Sequence, residues 1–283
     1  MCCDRSPEVG LSEAAPLADV FVFRLMFRLY WLPQKQGDSL EPRADPSAFY
    51  EKKRLLAGHA ARKYPVRLTR DGKTIDGVRY LLISALTVDV CPGACAAREG
   101  AACGIYERRP LACRTVPFHY SRVEALADTD LSAFVERPGY RCDTSDGADV
   151  VIQDGRIVAP GIRQARADAL DRAAQDRRWG EAIVRQMKTN GSAETGLPSL
   201  CEVEANARFG ATTAAMRLAW QIAADSGLMS SEECRLLIEA QLAVIDRELA
   251  AGSCGPEARQ TLAEMRADYR HQLSGGRGIL AFG

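Results

Sequence analysis

Residues 66–90 read VRLTRDGKTIDGVRYLLISALTVDV, and this stretch decides the β half of the fold. Val66 to Thr69 and Lys73 to Ile75 flank Asp71-Gly72, a turn dipeptide suited to a hairpin. Tyr80 to Val90 is rich in β-branched and large apolar residues, the types that suit a pleated, half-buried surface. A second hairpin is expected from Asp149 to Val158, where Val150-Val151-Ile152 and Ile157-Val158 flank a turn containing Asp154-Gly155. Between these two β pieces lies a run of cysteines.

Upstream, the apolar run from Val20 to Leu32 is interrupted by Arg24 and Arg28. Their spacing of four predicts a helix with both arginines on one face and Phe21, Leu25 and Leu29 packing on another. The polar stretch from Pro33 to Pro46 reads as a loop. Downstream of Pro160 the texture becomes alanine-rich with helical spacing, as in Trp179, Ile183 and Met187. Phe209, Met216 and Trp220 predict one helix stopped by Gly227. Ser230-Ser231-Glu232-Glu233 is a capping box that opens another, with Cys234, Ile238, Leu242, Ile245 and Leu249 along one side and Gly252 at its end. Pro256 then suits the first position of a last helix carrying Leu262, Met265, Tyr269 and Leu273. The expected fold class is α+β: a small cysteine-rich metal-binding domain with short strands and helices over residues 1–160, followed by a mostly helical region over residues 161–283.

With 37 basic and 37 acidic residues among 283, the chain has no electrostatic footprint for nucleic acid or an anionic membrane surface. The Val20–Leu32 run is short of the roughly 20 apolar residues that a spanning helix needs. Ten cysteines remain to be explained. The chain begins MCCDRSPEVG, which lacks the basic and apolar regions of a secretory signal, so the expected compartment is the reducing cytoplasm. There, clustered cysteines read as metal ligands or catalytic thiols in preference to disulfides.

Cys2 and Cys3 are adjacent, Cys91, Cys95, Cys103 and Cys113 fall close together, and Cys142 follows. Thiolates are the ligands that zinc and iron–sulfur clusters prefer, and four of them complete a tetrahedral zinc or a 4Fe-4S cubane. Pro92, Gly93, Gly104 and Pro110 suit the sharp bends of a ligand loop. The run CGIYERRPLACRTVP, from Cys103 to Pro117, matches at every defined position the pattern C-x-I-Y-x-x-R-P-x-x-C-R-x-x-P. In this run, and in the Cys2-Cys3 pair, the chain resembles the YkgJ-like cysteine-cluster proteins, a zinc- or iron-chelating family related to flagellin lysine N-methylase. The resemblance covers about the first 150 residues, the scale of one domain, and says little about the C-terminal helices.

That family also carries a CxxCxxCC segment near its start, and only its final pair is present here. The expectation is that in-frame codons upstream of Met1 encode the missing Cys-x-x-Cys. The resemblance implies a metal centre held by Cys2, Cys3, Cys103 and Cys113 with one or two of Cys91, Cys95 and Cys142. An iron–sulfur cluster is favoured, with zinc close behind. It leaves open a redox, carrier or sensing role, a protein lysine methyltransferase acting on a protein substrate, and a structural zinc module with a protein partner.

Around these ligands, Arg109 and Arg114 are expected to offset thiolate charge, and Tyr106 to pack. His119 is a lone histidine six residues after Cys113, while His59 and His271 have no supporting context. Cys201, Cys234 and Cys254 read as packing residues of the helical part. No G-x-G-x-x-G, P-loop or H-E-x-x-H occurs, and Cys91-x-x-x-Cys95 lacks the third cysteine of a radical-type cluster motif.

Overall fold

The computed structural model describes residues 6–35, 46–70, 73–90, 93–100, 102–116, 118, 123–136, 143, 145, 147–252 and 254–275. In chain order the N-terminal elements are β1 (Glu8–Val9), α1 (Leu11–Ala14), β2 (Phe23–Pro33), α2 (Pro46–His59), β3 (Arg62–Arg70) and β4 (Lys73–Thr87). There follow β5 (Arg98–Glu99), β6 (Ala102–Cys103), α3 (Leu111–Arg114), α4 (Ala127–Val135), β7 (Ile152–Gln153) and β8 (Arg156–Ile157). The remainder of the chain holds α5 (Pro160–Thr195), α6 (Leu200–Asn206), β9 (Thr212–Ala215), α7 (Met216–Asp225), α8 (Ser231–Ala251) and α9 (Pro256–Leu273).

The run from Val20 to Leu32 is mostly strand β2, not the helix its spacing predicts. A spacing of four puts Arg24 and Arg28 on one side of a strand as well as of a helix, so the arginines do not discriminate. What decides is the partner. β2 pairs antiparallel with β4 along its whole length, from Phe23 opposite Thr87 to Pro33 opposite Gly77. On the odd-numbered side, Phe23, Leu25 and Phe27 are buried with Leu81, Ile83 and Ala85 of β4. α5 covers this side with Trp179, Ile183 and Met187, and α7 with Ala219 and Trp220. On the other side, Tyr80 of β4 packs against Leu56 of α2 and Ala60 just beyond it.

The hairpin expected around Asp71-Gly72 is present and longer than its sequence signal: β3 and β4 pair from Arg62 opposite Leu81 to Arg70 opposite Lys73. The turn dipeptide itself lies outside the described residues. β1 extends the same edge of β4, with Glu8 opposite Leu86. At Gly77 the backbone comes so close that a Cβ would meet Trp31 and lie 2.7 Å from the Leu32 oxygen, which only glycine tolerates. The β7–β8 hairpin also forms as expected, with Asp154 and Gly155 at φ 50° and 70° in its turn.

The single helix expected through Phe209, Met216 and Trp220 is instead three pieces. A 3-10 turn at Ala207–Phe209 ends at Gly210 with φ 113°, β9 follows, and α7 begins at Met216. Thr212 and Thr213 are β-branched, and β9 pairs with the edge of β2 that β4 leaves open, Arg24 opposite Ala215. α8 and α9 follow their expected limits: the Ser230–Glu233 capping box forms, Gly252 closes α8 at φ 72°, and Pro256 opens α9. The expected boundary near residue 160 coincides with the start of α5, yet the two sides share the β2–β9 sheet and one core cluster. Among the described residues no helix is long and apolar enough to cross a membrane.

Two buried polar side chains join these layers. Gln241 of α8 is fully buried; its Oε1 accepts the Phe23 N–H at 2.8 Å, and its Nε2 donates to the oxygens of Ala18 at 2.8 Å and Phe21 at 2.6 Å. Those groups lie at the bend into β2, where no strand partner satisfies them, and an unpaired buried amide or carbonyl would be costly. Arg217 of α7 makes a bidentate pair with Asp268 of α9, both nearly inaccessible to solvent. Asp268→Ala strands the guanidinium in the core and is expected to lower unfolding free energy by about 3–5 kcal/mol, read from urea denaturation.

Candidate metal centre

Cys95 and Cys103 share one small hairpin. The Arg98 N–H donates to the Cys95 oxygen at 3.0 Å, Arg98 stands opposite Cys103 across β5 and β6, and the Gly104 N–H donates to the Ala97 oxygen at 2.9 Å. Cys95 is buried and Cys103 half-buried, while Ala97 and Ile105 anchor the hairpin in the main core. Gly93 and Gly100, at φ 77° and 59°, supply the bends expected of a ligand loop.

Cys113 stands on α3, which is too short to hold itself. Leu111 buries against Ala165 and Ala169 of α5, and Thr115 Oγ1 donates to the Leu111 oxygen at 2.9 Å. The N-terminal end of α3 is met by Glu13 of α1, whose carboxylate accepts the Leu111 N–H. Glu13 is buried, and that burial raises its pKa against the opposing pull of the Leu111 hydrogen bond and of Arg172. One turn of α5 away from Arg172, Asp176 accepts the Ser12 N–H at 2.7 Å. Its pKa is likewise raised by burial, which outweighs the Ser12 bonds and the charges of His59 and Arg172. A Cβ on Gly10 would collide with this carboxylate, so glycine there lets α1 seat on α5. No motif marks Glu13 or Asp176. Only their places in an α1–α5 contact reveal them.

The chain ahead of β1 runs beside the cysteine hairpin. The Ser6 N–H donates to Asp89 Oδ1 at 3.4 Å, Ser6 Oγ accepts the Ala96 N–H at 3.4 Å, and Thr87 Oγ1 donates to the Pro7 oxygen at 2.9 Å. Residues 6–13, 87–90, 93–100 and 111–115, well separated in sequence, therefore meet at one end of the β4 edge. The expected ligands Cys2, Cys3, Cys91 and Cys142 lie outside the described residues, as does His119. Among the described residues no three Cys, His, Asp or Glu side chains come together as a metal-binding group. Cys95, Cys103 and Cys113 thus form no such group among the described residues.

The motif pairs one of its arginines with its own tyrosine. Arg109 lies over the Tyr106 ring, with its Cζ 3.7 Å from the centroid and its Nε donating to the Tyr106 oxygen at 2.9 Å. Tyr106 does not pack into a core; it is 58% exposed and stacks on Arg109. Arg114 is exposed at the end of α3. Of the three helical-region cysteines, Cys234 is buried, its thiol pushed up to about 11 mainly by burial and further by Asp225. Cys254 is half-buried near the Glu248 oxygen, whereas Cys201, expected to pack, is exposed on α6.

Comparison of the chain with protein families, with curated proteins and with solved structures returns no match.

The two raised carboxylates set a pH dependence. A carboxyl group whose folded pKa exceeds its unfolded value favours the folded state in its protonated form. That contribution is full below the ordinary carboxylate range near pH 4 and is lost as pH rises through the folded value. Asp176→Asn keeps an oxygen for the Ser12 N–H and removes the titration. Its unfolding free energy is expected to fall less than the wild-type value between about pH 4 and pH 8. Parallel pH profiles from urea denaturation would contradict the assignment.

Proposed function

We propose that this chain is a metal-binding cysteine-cluster protein of the cytoplasm. Its ligands are Cys2, Cys3, Cys103 and Cys113, with one or two of Cys91, Cys95 and Cys142. The centre is a 4Fe-4S cluster, for which more than four available thiolates are suited, and zinc is the alternative. When bound, such a cluster supplies one-electron redox chemistry or a transferable centre.

The observation that carries this reading is the Ser6–Ala96 hydrogen bond. Cys3 is three residues from Ser6, and three residues of extended chain span at most about 10 Å. Ala96 is the neighbour of Cys95, whose hairpin also carries Cys103. The tie therefore supports a ligand set that joins the N-terminal cysteine pair to the second cysteine run. Glu13 acts in the same sense, because its bond to Leu111 holds the helix of Cys113 against α1, next to β1. The match of Cys103–Pro117 to the YkgJ-like pattern supports the same ligand set.

Anaerobic purification followed by metal analysis and an absorbance spectrum tests the reading. A brown protein with about four irons and a broad band near 400 nm is expected for a 4Fe-4S cluster. A colourless protein with stoichiometric zinc would overturn the iron assignment. Cys103→Ser and Cys113→Ser are each expected to lose most of the metal, and Cys234→Ser to keep it. Unchanged metal content in both of the first two would refute the ligand assignment.

A further inference from the structure

α2, the β7–β8 hairpin and the first half of α5 line a groove of about 650 Å³. Four arginines line it: Arg54 from α2, Arg156 from β8, and Arg163 and Arg166 from α5. Two carboxylates stand in the same wall, but both are occupied by backbone donors. Glu51 accepts the Glu124 N–H at 2.9 Å and the Ala125 N–H at 3.4 Å, and Glu124 accepts the Ile157 N–H at 3.0 Å.

Arg166 donates to the Phe118 oxygen at 3.2 Å, which steadies its side chain. Among the described residues, the side chains of Arg54, Arg156 and Arg163 make no hydrogen bond or ion pair, whereas Arg177 on the same helix as Arg163 pairs with Glu181. Four arginines from three separate elements line the groove against the two carboxylates of Glu51 and Glu124, so the lining carries a surplus of positive charge that favours an anion. The fork of an arginine matches phosphate oxygens two at a time, and it keeps its charge at any physiological pH. Between the arginines, Leu55, Ile157 and Leu170 form an apolar floor, Leu170 being 40% exposed. The volume lies in the range of small-molecule sites.

We infer that this groove binds an organic phosphate of about nucleotide size, with its phosphate held by Arg54, Arg156, Arg163 and Arg166 and its apolar body on the Leu55–Leu170 floor. The site is separate from the cysteine run, although Phe118, which packs with Ile157, links the two through the same stretch of chain.

The test is isothermal titration of the full chain with adenosine 5′-monophosphate as probe, with adenosine and inorganic phosphate as separate arms. Wild type is expected to bind the nucleotide at least tenfold more tightly than adenosine, and at least tenfold more tightly than inorganic phosphate. The double variant Arg156→Ala/Arg163→Ala is expected to lose at least tenfold in nucleotide affinity. Both side chains are exposed and unpaired among the described residues, so its thermal midpoint should match wild type; Arg54→Ala, on a different element, should weaken binding independently. No nucleotide binding at millimolar concentration overturns the site, as does equal binding by the arginine variants. Adenosine binding as tightly as the nucleotide overturns phosphate recognition, and inorganic phosphate doing so overturns the role of the apolar floor.

Discussion

The antiparallel ladder between β2 and β4 is the constraint on which the rest of the structure depends. β2 is hydrogen-bonded on both edges, to β4 along its full length and to β9 at its start. Its side chains Phe23, Leu25 and Phe27 are sealed beneath α5 and α7. Because side chains alternate across a strand, a slip of one residue would carry Phe23, Leu25 and Phe27 out of the core and Arg24 into it. The ladder thereby fixes β4, and the outer edge of β4 in turn receives β1 and β3 at set registers. Through β1 it determines where residues 6 and 7 lie, and hence where the chain approaches Cys95.

Around this ladder the joints between layers are polar and buried. Gln241 ties the bend before β2 to α8, Arg217 and Asp268 tie α7 to α9, and Asp176 and Glu13 tie α1 to α5 and to α3. Apolar contacts would hold these elements together without specifying their orientation, whereas each hydrogen-bonded group accepts only one geometry. The consequence for the candidate centre is direct. α3 has four residues and cannot persist alone, so the place of Cys113 is set by Leu111 on α5 and by Glu13 at its N-terminal end.

Hairpins and capped helices were legible because their signals are local. Asp154-Gly155 specifies its turn through backbone preference, Ser230 and Glu233 close a box within four residues, and Gly252 ends α8 by accepting positive φ. The metal-ligand reading of Cys103–Pro117 rested likewise on a contiguous run. The carboxylates Glu13 and Asp176 and the four-arginine groove carried no comparable signal, since their members come from elements far apart in the chain and stand among many ordinary charged residues.

The sequence by itself determined which segments bend, cap and pair in local hairpins, and it offered seven cysteines as candidate ligands through residue type and the resemblance of the Cys103–Pro117 run to the YkgJ-like pattern. Only the tertiary structure decided that Val20–Leu32 enters a sheet, since a spacing of four serves a helix and a strand equally until a partner edge is present. It also decided that Thr212–Ala215, a short β-branched piece between helices, completes that sheet on the open edge of β2. The meeting of residues 6–13 with the cysteine hairpin and α3 has the same origin: contacts between distant segments depend on the register of the β2–β4 ladder, which no local stretch of sequence encodes.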